Sequence, residues 1–145
     1  MATLTRMTDR KATTVWSGTL FEGSGETTFD SSGIGSYPVS WASRAEDANG
    51  KTSPEELIAG AHSACYSMAF SNMLAKNDTP ADRLETSAVV TFVPGTGITK
   101  SAITVVGTVP GVDEAKFLEL AEDAKANCPV SQALSVEITL DARLA

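Results

Sequence analysis

Residues 53–76, SPEELIAGAHSACYSMAFSNMLAK, form the stretch that decides the fold of this chain. Ser53 is a good N-cap, Pro54 suits the first helical position, and Glu56 completes a capping box with Ser53. The pattern predicts a single helix that begins at Pro54 and ends near Lys76. Such a helix has roughly six turns, which is long for a small domain.

The predicted helix is apolar nearly all round between Leu57 and Leu74. A helix that is apolar on every face is buried rather than laid on a surface. Its small side chains would let another backbone approach closely; they are Ala59, Gly60, Ala61, Ser63 and Ala64. A domain of 145 residues can barely enclose such a helix alone, so the stretch also indicates a dimer.

Segments with alternating or β-branched residues lie on both sides of this helix and predict strands. Three precede it, at residues 12–20, 26–30 and 37–44, and three follow it, at residues 85–93, 98–109 and 135–141. Asp113 is suited to cap a second helix over residues 114–126, and residues 129–134 predict a short helix. The order β-β-β-α-β-β-α-β predicts an α+β fold, with antiparallel sheets around the long buried helix. Residues 1–145 are expected to form a single domain.

The charge of the chain excludes some partners. The net charge is -7, the sequence pI is about 4.6, and the arginines are scattered, whereas binding of nucleic acid or an anionic membrane requires clustered basic residues. No apolar run is long enough to span a bilayer, and residues 1–6 contain no apolar segment of signal-peptide length. We therefore expect a cytoplasmic protein, in which a permanent structural disulfide would be unusual.

Cys65 and Cys128 are the only cysteines, and each has two interpretations. Cys65 lies in the middle of the long helix, where cysteine is commonly a small buried hydrophobe. A reactive thiolate there would need a cation supplied by the fold, since the middle of a helix offers little dipole. Cys128 precedes Pro129 and could act as the N-cap of the short helix, where backbone N–H groups favour an anion. It could equally be a joint between two helices.

Other polar residues also have a structural and a functional interpretation. His62, three residues before Cys65, could form a Cys-His dyad, although a core histidine bonded elsewhere is the commoner outcome. Glu55 is not used by the capping box and could hold a cation, and Arg44 ends the third predicted strand. One histidine and two cysteines without Cys-x-x-Cys spacing predict no metal site. Three apolar residues are expected in the core or in the wall of an apolar pocket: Trp16, Trp41 and Phe70.

Two motifs resemble those of the OsmC/Ohr family of thiol peroxidases. The first is TSPEELIAGAHSACYSM at residues 52–68, and the second is NCPVS at residues 127–131. The resemblance implies an intertwined homodimer with the long helices packed back to back. It further implies that Cys65 is the peroxidatic thiolate, that Cys128 resolves it as a disulfide, and that Glu55 orients an arginine beside the reactive cysteine.

The position of that arginine distinguishes branches of the family. The segment TVWSG at residues 14–18 has no arginine, whereas Arg44 matches the arginine that the osmotically induced branch places after its third strand. The resemblance therefore assigns the chain to that branch. Because Glu55 and Cys65 are ten residues apart on one helix, about 15 Å, we expect a composite site in which Glu55 of one subunit lies near Cys65 of the other.

The predicted activity is reduction of organic hydroperoxides, and more weakly of hydrogen peroxide. It would proceed through a Cys65 sulfenic acid and a Cys65–Cys128 disulfide. The resemblance implies a lipoylated protein as the dithiol reductant, and the mechanism needs no metal, haem or flavin. Trp41, Met68 and Phe70 would suit a bulky peroxide. The alternatives are a non-catalytic dimer that binds a small hydrophobic ligand in the same fold, and a thiol–disulfide regulator.

Overall fold

A computed structural model describes residues 6–145 of the chain. Residues 1–5 lie outside the described part, and so does most of the N-terminal segment from which the absence of a signal peptide was predicted. The chain divides into two compact units, the first ending at Ser53 and the second comprising Pro54–Ala145. In the described part of the chain, no helix is both long enough and apolar enough to cross a membrane.

The first unit contains a small antiparallel sheet. Its strands are β1 (Thr13–Ser17), β2 (Ser24–Thr28) and β3 (Ser36–Val39), paired in the order β1-β2-β3. All five residues of β1 are exposed, including Trp16 at 40%, so the expectation that Trp16 belongs to the core is wrong for the single chain. The sheet thus leaves much of its apolar surface exposed.

The predicted third strand ends early, and a short helix takes its place. Helix α1 (Trp41–Ala45) follows β3, so Arg44 lies in the last turn of a helix and not at the end of a strand. Ser40 and Ser43 cap the helix reciprocally, because each side chain accepts a hydrogen bond from the backbone N–H of the other, at 3.1 and 3.0 Å. This serine pair outweighs the alternating pattern that favoured a strand.

The second unit packs two helices on a three-stranded sheet. Its elements are α2 (Pro54–Lys76), β4 (Arg83–Val93), β5 (Gly97–Thr108), α3 (Glu114–Asn127), α4 (Pro129–Ala133) and β6 (Glu137–Leu144). Strands β4 and β5 form the predicted hairpin. Strand β6 pairs with β5 in parallel, so the expectation of purely antiparallel sheets is wrong for this pair. The chain leaves β5, crosses over through α3 and α4, and returns in the same direction, as parallel pairing requires.

One face of α2 forms the core with α3 and β5. His62, Tyr66, Phe70 and Leu74 recur every four residues on this face and are 0% exposed. Their neighbours from the other elements are Phe117, Ala121 and Ala124 of α3 and Ile103 and Val105 of β5. The opposite face of α2 is open in the single chain, where Met68 is 73% exposed. The long helix is therefore buried on one side only in the single chain, in agreement with the expectation that 145 residues can barely enclose it.

Close packing fixes how α3 lies on the sheet. A Cβ atom at Gly107 of β5 would lie 2.8 Å from the ring of Phe117, so only glycine allows the ring to approach the strand this closely. Tyr66 adds a polar link, since its hydroxyl donates to the carbonyl of Ala121 at 2.9 Å. The end of α3, where Cys128 lies, is thereby held against the middle of α2, where Cys65 lies.

Candidate functional site

Cys65 and Cys128 are brought together inside the second unit. Cys65 lies in the middle of α2 and is half-buried, whereas Cys128 is completely buried. The two thiols are close enough for each to shift the pKa of the other, and both residues are free cysteines. The sequence left open whether the two cysteines are neighbouring thiols or unrelated small hydrophobes. In the structure they are neighbouring thiols.

The junction between α3 and α4 determines the setting of Cys128. Its backbone N–H closes α3 by donating to the carbonyl of Ala124 at 2.9 Å, and the same residue is the N-cap of α4, with Pro129 in the first turn. This arrangement directs the first free N–H groups of α4 toward the thiols. The N–H groups of Val130 and Ser131 lower the pKa of Cys128, and that of Val130 also lowers the pKa of Cys65, although the Cys128 side chain makes no hydrogen bond that caps α4.

The two thiols respond to these surroundings in opposite directions. Burial raises the pKa of Cys65, and the hydrogen bond from Val130 offsets this only in part. Burial would also raise the pKa of Cys128, but hydrogen bonds from the Ser131 N–H, the Cys65 thiol and the Ser131 hydroxyl outweigh it and lower that pKa. The interaction between the two thiols raises the pKa of Cys65 and lowers the pKa of Cys128.

His62 does not form a dyad with Cys65. Its Nδ1 bonds the hydroxyl of Ser101 on β5 at 2.7 Å, and its Nε2 bonds the hydroxyl of Ser131 on α4 at 2.8 Å. The side chain is 0% exposed, and burial lowers the pKa of His62, so the imidazole is neutral at pH 7. The commoner outcome considered from the sequence, a histidine bonded within the core, is confirmed.

Glu55 and Arg44, the other predicted site residues, belong to other segments of the chain than the middle of α2, where Cys65 lies. Glu55 is 6% exposed in the first turn of α2, and because the helix is continuous it lies ten residues, about 15 Å, from Cys65 along the axis. Arg44 belongs to the first unit. The expectation that these two residues complete the site around Cys65 stays a prediction.

Only some of the apolar residues that were predicted to line a peroxide pocket are exposed enough to do so. Phe70 is buried in the core between Tyr66 and Phe117, with ring centroids 5.7 and 5.2 Å away, so it cannot line an open peroxide pocket. Trp41 is half-buried and makes an edge-to-face contact with Phe21 at 5.5 Å, and Met68 is exposed. Among residues 6–145, no group of three or more His, Cys, Asp or Glu side chains could hold a metal ion.

Two serines were missed as site residues by the sequence interpretation. Ser131 lies within the second motif, which was a usable signal, and its hydroxyl contacts both Cys128 and His62. Ser101 occupies an ordinary position in β5, where no local pattern distinguishes it from other strand serines. Only the pairing of β5 against α2 makes it a partner of His62.

Comparison with known sequences gives a consistent result along nearly the whole chain. A family model described as OsmC-like protein matches residues 46–142. Peroxiredoxin OsmC of Escherichia coli (strain K12) is 39% identical over 138 residues, which cover 93% of this chain and 96% of that protein. Peroxiredoxin OsmC of Shigella flexneri matches with the same identity and coverage.

Comparison with solved structures concerns the fold. An OsmC-like protein from Mycoplasma pneumoniae superposes with a TM-score of 0.72 at 14% identity, covering 95% of this chain and 98% of that one. The organic hydroperoxide resistance protein OhrB of Bacillus subtilis gives a TM-score of 0.63 at 23% identity, with 93% and 98% covered. These likenesses confirm the predicted α+β fold.

Proposed function

This chain belongs to the OsmC-like protein family and is a thiol peroxidase, and we propose that Cys65 and Cys128 carry out its reaction in turn. The observation that supports this order is the contact between two sulfurs of unequal exposure. A peroxide can approach the half-buried Cys65, whereas the buried Cys128 is shielded from it. Cys128 already lies where it can attack the oxidised Cys65.

In the first step the Cys65 thiolate attacks the distal oxygen of an organic hydroperoxide. The O–O bond breaks, the peroxide takes two electrons from sulfur, and Cys65 becomes a sulfenic acid. Cys65 must lose its proton before this attack, and its raised pKa opposes that loss. The same proton can then pass to the departing alkoxide, which leaves as an alcohol. Hydrogen peroxide would react in the same way, more weakly, and leave as water.

In the second step Cys128 attacks the sulfur of the Cys65 sulfenic acid. An S–S bond forms, the S–O bond breaks, and the oxygen leaves as water after taking a proton. An external dithiol then reduces the disulfide by thiol exchange. The family resemblance favours a lipoylated protein as this reductant. We propose the cytoplasm as the place of action, because thiols are kept reduced there.

The reaction also needs a cation to lower the pKa of Cys65, which burial raises. We propose Arg44 for this role, oriented by Glu55 of a second subunit. The 15 Å that separate Glu55 from Cys65 along one helix, about ten residues, favour a carboxylate from a second copy. A homodimer in which the exposed faces of two α2 helices meet would supply it.

The proposal is tested by peroxide consumption with a dithiol reductant, using wild type, Cys65→Ser and Cys128→Ser. We expect turnover to be lost in both variants, because each lacks one sulfur of the disulfide. Mass spectrometry after dimedone trapping should detect a lasting sulfenic acid on Cys65 in Cys128→Ser only, since that variant can complete the first step and not the second.

Ser63→Ala is a matched control from the same helix. The Ser63 hydroxyl that it removes bonds only the Gly60 carbonyl, at 3.1 Å. This variant should turn over at the wild-type rate. Unchanged turnover in Cys65→Ser would contradict the proposal and would favour the non-catalytic ligand-binding alternative.

A further inference from the structure

Three buried polar side chains from three different elements lead to the resolving cysteine. Ser101 of β5 bonds Nδ1 of His62, and Nε2 of His62 bonds the hydroxyl of Ser131. Ser131 lies in α4, three residues after its N-cap Cys128, and its hydroxyl lowers the pKa of that cysteine. Ser101 and His62 are 0% exposed and Ser131 is 8% exposed. We propose that this chain, Ser101–His62–Ser131, is a positioning device that holds the Ser131 hydroxyl as a donor to Cys128 and so prepares Cys128 to attack the sulfenic acid.

The directions of the hydrogen bonds follow from the chemistry of a neutral imidazole, which has one donor nitrogen and one acceptor nitrogen. If the Ser131 hydroxyl donates to the Cys128 sulfur, its oxygen is free to accept from Nε2–H. Nδ1 must then accept from the Ser101 hydroxyl. All groups are satisfied in this arrangement, so an anionic Cys128 selects a single tautomer of His62.

The opposite arrangement is satisfied only by a protonated Cys128. If Ser131 donates to Nε2 instead, its oxygen faces the sulfur and accepts from the S–H group. The protonation of Cys128 and the tautomer of His62 are therefore linked through Ser131. Without His62, the Ser131 hydroxyl would be free to rotate, and the thiolate would lose a fixed donor.

The other groups near Cys128 give an anion little help within this unit. Cys65 and Tyr66 of α2 interact with Cys128, and His62 bonds Ser131 rather than Cys128. Burial is the main cause of the raised pKa of Tyr66, and Glu122 of α3 and Cys128 raise it further. These groups are neutral or acidic, so the support for a thiolate comes from hydrogen bonds at the start of α4. Among the groups that lower the pKa of Cys128, the Ser131 hydroxyl and the Cys65 thiol are side chains, and the others are backbone N–H groups.

This inference rests on the proposed function, because it concerns the second chemical step. A Cys128 with a higher pKa is less ionised at neutral pH, so it would form the disulfide more slowly. The Cys65 sulfenic acid would then survive longer and meet a second peroxide, which oxidises it irreversibly to the sulfinic acid. The first step would slow much less than the second, because the three side chains act on Cys65 only through Cys128.

The test measures sulfenic acid formation and disulfide formation separately, by rapid mixing with one equivalent of hydroperoxide between pH 5.5 and 9.5. In Ser131→Ala we expect disulfide formation to slow about tenfold at pH 7 and its pH midpoint to rise by about one unit, the effect of losing one hydrogen bond to a charged group. At high pH, where Cys128 ionises without help, the variant should regain the wild-type rate. A general disturbance of the fold would slow the reaction at every pH.

Variants farther along the chain separate positioning from direct contact. His62→Leu should shift the midpoint in the same direction as Ser131→Ala, and His62→Gln, which retains an N–H donor for Ser131, should move it back toward wild type. Ser101→Ala should give a smaller shift, of about threefold in rate at pH 7. If Ser131→Ala fails to fold, the pH midpoints of disulfide formation in His62→Gln and Ser101→Ala still test the inference.

Ser67→Ala is the matched control, because Ser67 is a partly buried serine of α2 whose hydroxyl bonds Thr86 at 2.8 Å, away from the thiols. It should leave both steps unchanged. An unshifted midpoint in Ser131→Ala and His62→Leu, with the Cys65 sulfenic acid still resolved by Cys128, would overturn the inference and leave the proposed function standing. If wild type forms no sulfenic acid at all, the proposed function fails instead.

Discussion

Cys65 and Cys128 carry the same thiol and differ in what surrounds each sulfur. Cys65 is partly open and has a raised pKa, while Cys128 is closed off from solvent and collects hydrogen bonds that lower its pKa. The accessible sulfur is thus the weaker acid of the pair. Within the second unit, the different roles proposed for the two cysteines depend on the solvent exposure of Cys65 and on the hydrogen bonds that stabilise a negative charge on Cys128.

His62 gives a prediction about pH and stability at the same scale. Burial lowers its pKa, so the folded protein holds it neutral while the unfolded chain protonates it near pH 6.5. The stability that this neutral histidine contributes is present above pH 6.5 and is lost as the pH falls below it. Urea unfolding of wild type between pH 7.5 and 5.5 should show this loss.

His62→Gln removes the only histidine of the chain, so its unfolding free energy should change less over the same range. The variant is expected to be less stable than wild type at pH 7.5 because the serine contacts are imperfectly replaced. Equal slopes of stability against pH in the two proteins would show that His62 is protonated to the same extent when folded and unfolded.

Among the elements, the pair of helices α3 and α4 matters most for the site, because their junction carries Cys128. Asp113 begins α3 by accepting a hydrogen bond from the N–H of Lys116 at 2.8 Å, and the helix ends where the N–H of Cys128 meets Ala124. Phe117 and Ala121 hold the helix against α2 and the sheet. The position of the Cys128 sulfur is therefore set by an entire helix that is capped at its start and packed along its length.

Asp113→Ala removes the cap of α3 and is expected to destabilise the protein by about 1 kcal/mol. Urea unfolding at pH 7 measures the effect. Asp113→Ser is the control, because serine retains an oxygen that can accept from Lys116 and should recover most of the loss. A stability unchanged in Asp113→Ala would mean that the observed cap contributes nothing measurable.

At the scale of the whole molecule, the single chain leaves apolar surface uncovered. Met68 of α2 is 73% exposed and Val89 of β4 is 65% exposed, and in the first unit β1 is exposed along its whole length. Isolated exposed apolar residues are common, but here they include one face of the longest helix. A second copy of the chain, as in the proposed homodimer, would cover that face.

Met68→Asp should therefore convert the dimer to a monomer, since it places a charge where two helices are proposed to meet. Sedimentation velocity over a range of protein concentrations measures the change. Leu118→Asp, at a 40% exposed apolar position of α3, introduces the same charge elsewhere and should leave the dimer intact. A Met68→Asp protein that sediments like wild type would contradict the proposed interface.

The sequence by itself determined the elements whose signals are local. Helix α2 begins at Pro54 and ends at Lys76 as predicted, and Asp113 caps α3 as predicted, because capping residues and proline act on the backbone beside them. The interpretation of residues 37–44 as one strand was wrong even so, since Ser40 and Ser43 begin a helix within that segment. The site motifs identified both cysteines.

Only the tertiary structure decided which groups surround those cysteines. Ser101 lies 39 residues from His62 and Ser131 lies 69 residues from it, yet all three meet beside Cys128. The parallel pairing of β6 with β5 was likewise not predicted. Contacts between distant segments depend on how helices and strands pack, and a single sequence carries no local pattern that records such packing.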